Sequence, residues 1–291
     1  MSCFVFPYKN VQVPSMNIMR HCLRAILLFL CLMPAAASAA SSDWHVTTGG
    51  RIRLLVSEPA TGAEDITGVL QIALEPGWKT YWRDPGSAGI PPQIDVGMTS
   101  GISGVSIGFP PPQRFTDDYG TWAGYKHGVD LALTFSRNST ALPQTIIADV
   151  FVGICETICV PVQARLEVDL STAQSDAETV LAVAAAFAAL PGRAESDFGI
   201  TGSKLDGNLI TVTAKIPAKA ANPELFVENA GGWYLGVPDA ASRDGVNVVF
   251  AVPVVDRPVE TAVDVPAFSY TLNSSQGAVA GTMPVTVAAP K

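Results

Sequence analysis

Positive charge is scarce in this sequence. Lys and Arg number 18 against 26 Asp and Glu, a formal net charge of −8 over 291 residues. The basic residues form no cluster, so the electrostatic footprint of a nucleic-acid binder is missing. Charged residues of both signs reach only 15%, against 48% hydrophobic, which excludes wholesale disorder and allows a substantial core. Beyond residue 39 no apolar run is long enough to span a bilayer. Catalytic triads, phosphate-binding loops and cofactor fingerprints are absent. Cysteine is rare: of five, Cys3, Cys22 and Cys31 lie near the N-terminus, leaving Cys155 and Cys159 in the body of the chain.

The N-terminal cysteines belong to a segment that reads as an address. Arg20 and Arg24 precede a short apolar core at 25–33, and Ala37-Ser38-Ala39 supplies small residues of the cleavage type. Residues 1–39 are therefore expected to be a secretory leader with an N-terminal extension, starting in truth at Met16 or Met19. Its removal predicts an exported, soluble product whose only cysteines are Cys155 and Cys159, in a compartment where disulfides persist.

What the sequence has in quantity is turn chemistry and alternation. Gly 25 and Pro 22 separate short runs of strand character. Strands are predicted at 51–56, 68–74, 78–82, 104–109, 129–135, 145–152 and 164–170, the last with strict alternation. Two stretches lack strand character and are expected to be loops, 87–92 and 113–125. The second is rich in aromatics, acids and glycine. It is either tucked on the core or a lid over something nearby.

Ser175-Asp176-Ala177-Glu178 fits a capping box, and Val180, Val183, Ala184, Phe187 and Leu190 follow at helical spacing until Pro191-Gly192. This predicts one amphipathic helix whose apolar stripe docks on a core. Strands return at 209–215, 225–228, 246–252, 267–272 and 283–287. The expected fold class is all-β, with two antiparallel β-sandwiches joined by one helix. The expected boundaries are 40–172 for the sandwich with the cysteines, 173–192 for the helix and 193–291 for the second sandwich. The second half has no motif that carries chemistry. Trp233-Tyr234 is either a contact patch or an ordinary core pair.

Cys155 and Cys159 have three residues between them. Four residues of extended strand span roughly 13 Å, too far for a disulfide, so Glu156-Thr157-Ile158 must turn if the pair closes. The chain-entropy model gives so small a loop only about 2 kcal/mol. Three readings stay open: a redox-active disulfide, a structural clip, or a pair of metal ligands suited to Cu(I). His45 and His127 are candidate further ligands in the last case. The small stabilisation favours redox exchange. Glu156, if near, would raise a thiol pKa by like charge.

Residues 75–82 (EPGWKTYW), Asp84-Pro85-Gly86, Gly89-Ile90-Pro91-Pro92, Phe109-Pro110, Asp118-Tyr119-Gly120, Gly124-Tyr125 and Cys155-Glu156-Thr157-Ile158-Cys159-Val160-Pro161 resemble the periplasmic N-terminal domain of DsbD-type thiol:disulfide interchange proteins. The resemblance extends to the ScsB-like branch, linked to copper tolerance. The resemblance covers roughly 44–170. It implies an immunoglobulin-like sandwich in which two cysteines take electrons from a membrane domain and hand them to periplasmic thioredoxin-like proteins, under a cap loop. Carried over, the exchanging residues are Cys155 and Cys159, and the cap comprises Phe115, Asp117, Asp118, Tyr119, Gly120 and Tyr125.

Family domains differ in having a longer cysteine spacing and a phenylalanine in the cap. Full DsbD proteins also continue into membrane and thioredoxin domains. This sequence ends at Lys291 without them, so the expected partners are a membrane-embedded thiol donor in trans and periplasmic thioredoxin-like proteins. The implied activity is that of a thiol-disulfide oxidoreductase, with no cofactor, resident metal, nucleic acid or small-molecule substrate. The rival class is a non-catalytic adaptor with a structural disulfide, in copper tolerance or Cu(I) binding.

Overall fold

The computed structural model describes residues 40–57, 64–87, 89–118, 120–171, 176–258 and 265–288. The expected leader lies outside them. The first half contains β1 (His45–Thr47), β2 (Gly50–Ser57), β3 (Asp65–Leu74), β4 (Thr80–Tyr81), β5 (Gln93–Asp95), β6 (Ile102–Gly108), β7 (Gln113–Asp117), β8 (Gly120–Tyr125), β9 (Val129–Arg137), β10 (Thr145–Cys155) and β11 (Cys159–Asp169). They form a five-stranded sheet ordered β1-β2-β3-β9-β6, a three-stranded sheet β11-β10-β5 and a small sheet β4-β8-β7.

Alternation decides which face is buried. In β11, Val162, Ala164, Leu166 and Val168 are buried while Gln163, Arg165, Glu167 and Asp169 are exposed. These residues meet Ile52, Leu54, Leu70, Ile72, Leu131 and Leu133 of the larger sheet in one apolar cluster. β10 and β11 pair antiparallel without a slip from Thr145↔Asp169 to Cys155↔Cys159. A one-residue shift would turn every core side chain outward, so the pattern fixes where the hairpin ends.

Helix α1 (Ala177–Ala188) begins where the Asp176 carboxylate accepts from the Thr179 amide at 2.6 Å. The N-cap is therefore Asp176, not Ser175. Ser175 lies outside the described residues, and the Asp176 carboxylate accepts from the amide at N3. The helix covers the outer face of the five-stranded sheet, where Val183 and Ala186 bury Leu55, Val69 and Ala132. Removing Val183 from water contributes roughly 1.5–3 kcal/mol; Val183→Asp would break the contact.

The second half contains β12 (Gly192–Arg193), β13 (Gly199–Asp206), β14 (Leu209–Lys215), β15 (Glu224–Val227), β16 (Tyr234–Leu235), β17 (Asp239–Asp244), β18 (Asn247–Asp256), β19 (Phe268–Ser274), β20 (Gly277–Met283) and β21 (Thr286–Val287). Sheets β12-β20-β19-β15 and β16-β18-β14-β13-β21 face each other over Ile210, Val212, Phe250, Val252, Phe268 and Leu272. The fold is all-β with two immunoglobulin-like sandwiches. Its pairings are antiparallel apart from two short parallel ones, β12 with β20 and β13 with β21.

Several sequence expectations change. Residues 113–125 form a hairpin, not a loop. β7 is short and mostly polar, β8 carries two glycines, and only the pairing Phe115↔Trp122 brings their aromatics together. The strand expected at 283–287 breaks at Pro284, which has no amide for the ladder. β13 escaped notice because a bulge between Ile200 and Gly202 interrupts its alternation. β17 escaped because all six of its residues are exposed. Trp233 lies in the second core, while Tyr234 is exposed.

The described residues of both sandwiches fall in one compact unit. Phe226 of β15 belongs to the first core and meets Trp82 edge to face at 5.7 Å. Arg83 pairs with Glu228, and the Asn229 amide donates to Asp84 at 2.6 Å. This seam lies immediately beside the segment that carries the site.

Candidate functional site

The β10–β11 hairpin ends in a bonded Cys155–Cys159 pair whose Cα atoms are 4.1 Å apart. The cysteines face each other as the last cross-strand pair, and Glu156, Thr157 and Ile158 form the exposed turn. The turn that a disulfide requires is thus supplied by the hairpin itself.

Residues 79–81 run alongside. Lys79 and Cys155 exchange backbone hydrogen bonds of 2.8 and 2.9 Å, and the Thr80 hydroxyl donates to the Gly153 carbonyl at 2.9 Å. Period-2 alternation then divides the segment. Trp78 and Trp82 turn into the first core, while Lys79 and Tyr81 turn to the disulfide. The Tyr81 hydroxyl lies 3.1 Å from the Cys159 sulfur. A disulfide sulfur carries no proton, so Tyr81 is the donor. Burial, and secondarily the Asp117 charge, raise its pKa and keep it protonated. Gly153 permits this approach, since a Cβ there would lie 2.8 Å from Ile90 Cβ and 3.2 Å from the Tyr81 ring.

The β7–β8 hairpin closes the other side. Phe115 and Trp122 stack at 4.5 Å, and Trp122 meets Tyr81 edge to face at 5.7 Å. Asp117 accepts from Lys79 Nζ at 2.5 Å and from the Trp122 indole at 2.8 Å. Lys79 Nζ also sits 4.5 Å over the Trp122 ring, and Lys126 Nζ 4.4 Å over Phe115. The result is a pocket of about 300 Å³ lined by Lys79, Tyr81, Asp117, Trp122, the two cysteines, Thr157 and Ile158. Cys155 is buried at 1% exposure, Cys159 is partly buried, and Ile158 at the rim is 77% exposed.

Among the residues expected at a cap, Phe115 and Asp117 lie with the disulfide. Asp118 and Gly120 are at the exposed hairpin tip, Gly120 with φ of +123°. Tyr119 lies outside the described residues. Tyr125 does not belong to the pocket. It is buried in the first core, where its hydroxyl donates to Pro110 O at 2.7 Å and burial pushes its pKa up. With Ala123 it lies on the face of β8 opposite Trp122. Sequence reasoning missed Lys79, Tyr81 and Trp122 as site residues. The alternation of 78–82 was the available signal for the first two.

His45 and His127 do not line the pocket. Among the described residues no group of three or more His, Cys, Asp and Glu is arranged to hold a metal ion.

Residues 52–171 match the family model of the N-terminal domain of the thiol:disulfide interchange protein DsbD. The DsbD-like segment runs from within β2 to just past β11. It contains both cysteines and every other residue that lines their pocket. The N-terminal periplasmic domain of ScsB from Proteus mirabilis superposes with a TM-score of 0.70 at 21% identity, covering 84% of this chain and 99% of that one. At that identity the likeness concerns the fold, over an extent that takes in both sandwiches. A conserved domain protein from Bacillus anthracis, at TM-score 0.22 and 10% identity over 79% of this chain and 75% of that one, carries no argument. No curated protein sequence matches the chain at a significant level.

Proposed function

We propose that the protein exchanges the Cys155–Cys159 disulfide with cysteine pairs of other proteins. The observation that carries this reading is the placement of the bond. It closes a hairpin tip at the mouth of a pocket, with Cys159 accessible and the Tyr81 hydroxyl on its sulfur. A structural clip would gain nothing from such a surround. The match of the segment to a thiol:disulfide interchange domain supports the same reading.

The chemistry balances as follows. A partner thiolate attacks Cys159 Sγ, a mixed disulfide forms, and Cys155 leaves as a thiolate that takes a proton. The partner's second thiolate then attacks the mixed disulfide. The partner leaves oxidised, and Cys155 and Cys159 hold the two electrons. The reverse sequence passes them on. Attack at Cys159 follows from exposure, since Cys155 is 1% exposed. The Tyr81 hydroxyl, a donor at Cys159, stabilises the thiolate formed there on release. Lys126, over the Phe115 ring beside the pocket, favours an incoming anion, while the Lys79 charge is matched by Asp117.

The partners in this reading are a membrane-embedded thiol donor and thioredoxin-like proteins, meeting the chain in an exported compartment. One observation supports the location: the matched ScsB domain is periplasmic. Asp117, with Phe115 and Trp122, serves as the cap, held over the disulfide by the ion pair of Asp117 with Lys79.

Trapping tests the proposal. Cys155→Ser, expressed in the native compartment, should accumulate a mixed disulfide through Cys159, and Cys159→Ser should accumulate far less. The wild-type midpoint potential should lie above about −300 mV, the range below which structural bonds sit. Absence of any partner with either variant, together with a potential below that range, would overturn the reading.

A further inference from the structure

The second sandwich contains no cysteine and no pocket residue of the disulfide site, yet it grips the hairpin that covers that site. Alternation along β7 explains how. Phe115 and Asp117 face the disulfide, so Arg114 faces the opposite way, toward the second sandwich. Its guanidinium donates to the Leu225 carbonyl at 2.7 Å, lies 3.7 Å from the Glu224 carboxylate and stacks 4.5 Å over the Phe226 ring. All three partners are on β15, the edge strand of its sheet. The side chain is only 18% exposed. One turn of chain earlier, Asn273 Nδ2 donates to Pro112 O at 2.7 Å, which pins the root of the same hairpin.

We infer that the second sandwich sets the position of the β7–β8 hairpin over the disulfide, with Arg114 as the positioning residue. The inference rests on the proposed exchange at Cys155–Cys159 for its biological meaning, but not for its measurement. The hairpin belongs to a small sheet in which β4 pairs only with Gly124 and Tyr125 of β8, so β7 is an edge strand of that sheet, and so small a sheet is marginal by itself. At its tip, Asp117 holds Lys79 and Trp122. At its root, Arg114 and Pro112 are held by β15 and β19. Loosening the root lets the tip leave the pocket, and the disulfide becomes reachable more often. A charge-assisted, largely buried contact of this kind suppresses opening by roughly an order of magnitude.

The test uses the whole chain. Wild type, Arg114→Ala, Arg114→Lys and Glu224→Gln are compared with Glu228→Gln, which breaks an interdomain pair that does not touch the hairpin. Two quantities are read without any partner protein. One is amide hydrogen exchange within residues 113–125. The other is the rate at which dithiothreitol reduces the disulfide, forming its own cyclic disulfide as the cysteines take up two electrons and two protons. Arg114→Ala should speed both by roughly tenfold, without a matching change in midpoint potential. Arg114→Lys should recover part of the protection, Glu224→Gln should show a smaller effect, and Glu228→Gln should behave as wild type. Folded Arg114 variants with wild-type exchange and reduction rates would overturn the inference. So would an equal effect of Glu228→Gln, which would mark general loosening of the seam. Should Arg114→Ala fail to fold, Arg114→Lys and Glu224→Gln decide the matter by the same two readouts. Failure of partner trapping alone would strike the proposed function and leave these rates standing.

Discussion

The β10–β11 and β13–β14 hairpins are built alike and turn by different means. Both pair antiparallel, and both bury one alternating face in a sandwich core. β13–β14 turns at Gly207-Asn208, with Gly207 at φ +61° and nothing within 4 Å of where its Cβ would be. That turn needs no neighbours, because glycine supplies the backbone conformation at no steric cost. β10–β11 turns at Glu156–Ile158 under a disulfide, and there the neighbours close in. Residues 79–81 bond to the strand, Gly153 makes room for Ile90 and Tyr81, and a second hairpin lies across the sulfurs. A hairpin does not require such a surround to be stable. The difference shows that the first sandwich spends its special residues on controlling access to a bond, not on making a turn.

The comparison can be tested from its foundations upward. Phe135 and Phe250 are fully buried counterparts in the two cores. Phe135→Ala and Phe250→Ala should each cost about 3–5 kcal/mol. Thermal unfolding should show both shifting one shared transition, since Phe226, Trp82 and Arg114 tie the cores together. Two separate transitions would mean that the seam is weaker than its contacts imply.

Next in size, Cys155→Ser with Cys159→Ser should lower stability by about 2 kcal/mol, the chain-entropy value for so short a loop. Far-UV circular dichroism should be unchanged, because the β10–β11 register is fixed by eleven cross-strand pairs of which the cysteines are only the last. Collapse of the fold would instead make the disulfide a structural element. Gly207→Ala should cost about 1 kcal/mol from the positive φ alone and should leave the disulfide reduction rate unchanged. Urea denaturation and thiol release measure the two effects separately.

The smallest effect concerns pH. Arg165 donates two hydrogen bonds to Asp149 across β10 and β11 and holds its carboxyl below the usual carboxylate range. The stabilisation is present above the unfolded pKa near 4 and is lost as pH falls through the lower folded value. Both groups are exposed, so Asp149→Asn should flatten the acid limb of the stability curve only slightly. A large change would show the pair to be less solvated than its position indicates.

Most of the secondary structure is written locally. The alternation at 145–152 and 164–170 marks the two strands of the functional hairpin, and the spacing of Val183 and Phe187 marks the docking face of α1. The two cysteines identify themselves by spacing and by being the last of their kind. Other features have no local signature. β17 is wholly exposed and is a strand only because β18 pairs with it. Residues 113–125 look like a loop because their aromatics meet only across the hairpin. Tyr125 looks like part of a cap by proximity in sequence, yet the alternation of β8 sends it into the core.

The chain by itself determined an all-β fold, two alternating strands on either side of Cys155 and Cys159, and a helix with one apolar face. These follow from periods of 2 and 3.6 residues, which any segment carries wherever it packs. Tertiary structure alone decided that Tyr81 reaches the Cys159 sulfur, that Lys79 and Trp122 hold Asp117 over the pocket, and that Arg114 anchors that hairpin to the other sandwich. All but the Trp122–Asp117 bond join residues far apart in the chain. Only the packed sheets bring such groups within hydrogen-bonding distance.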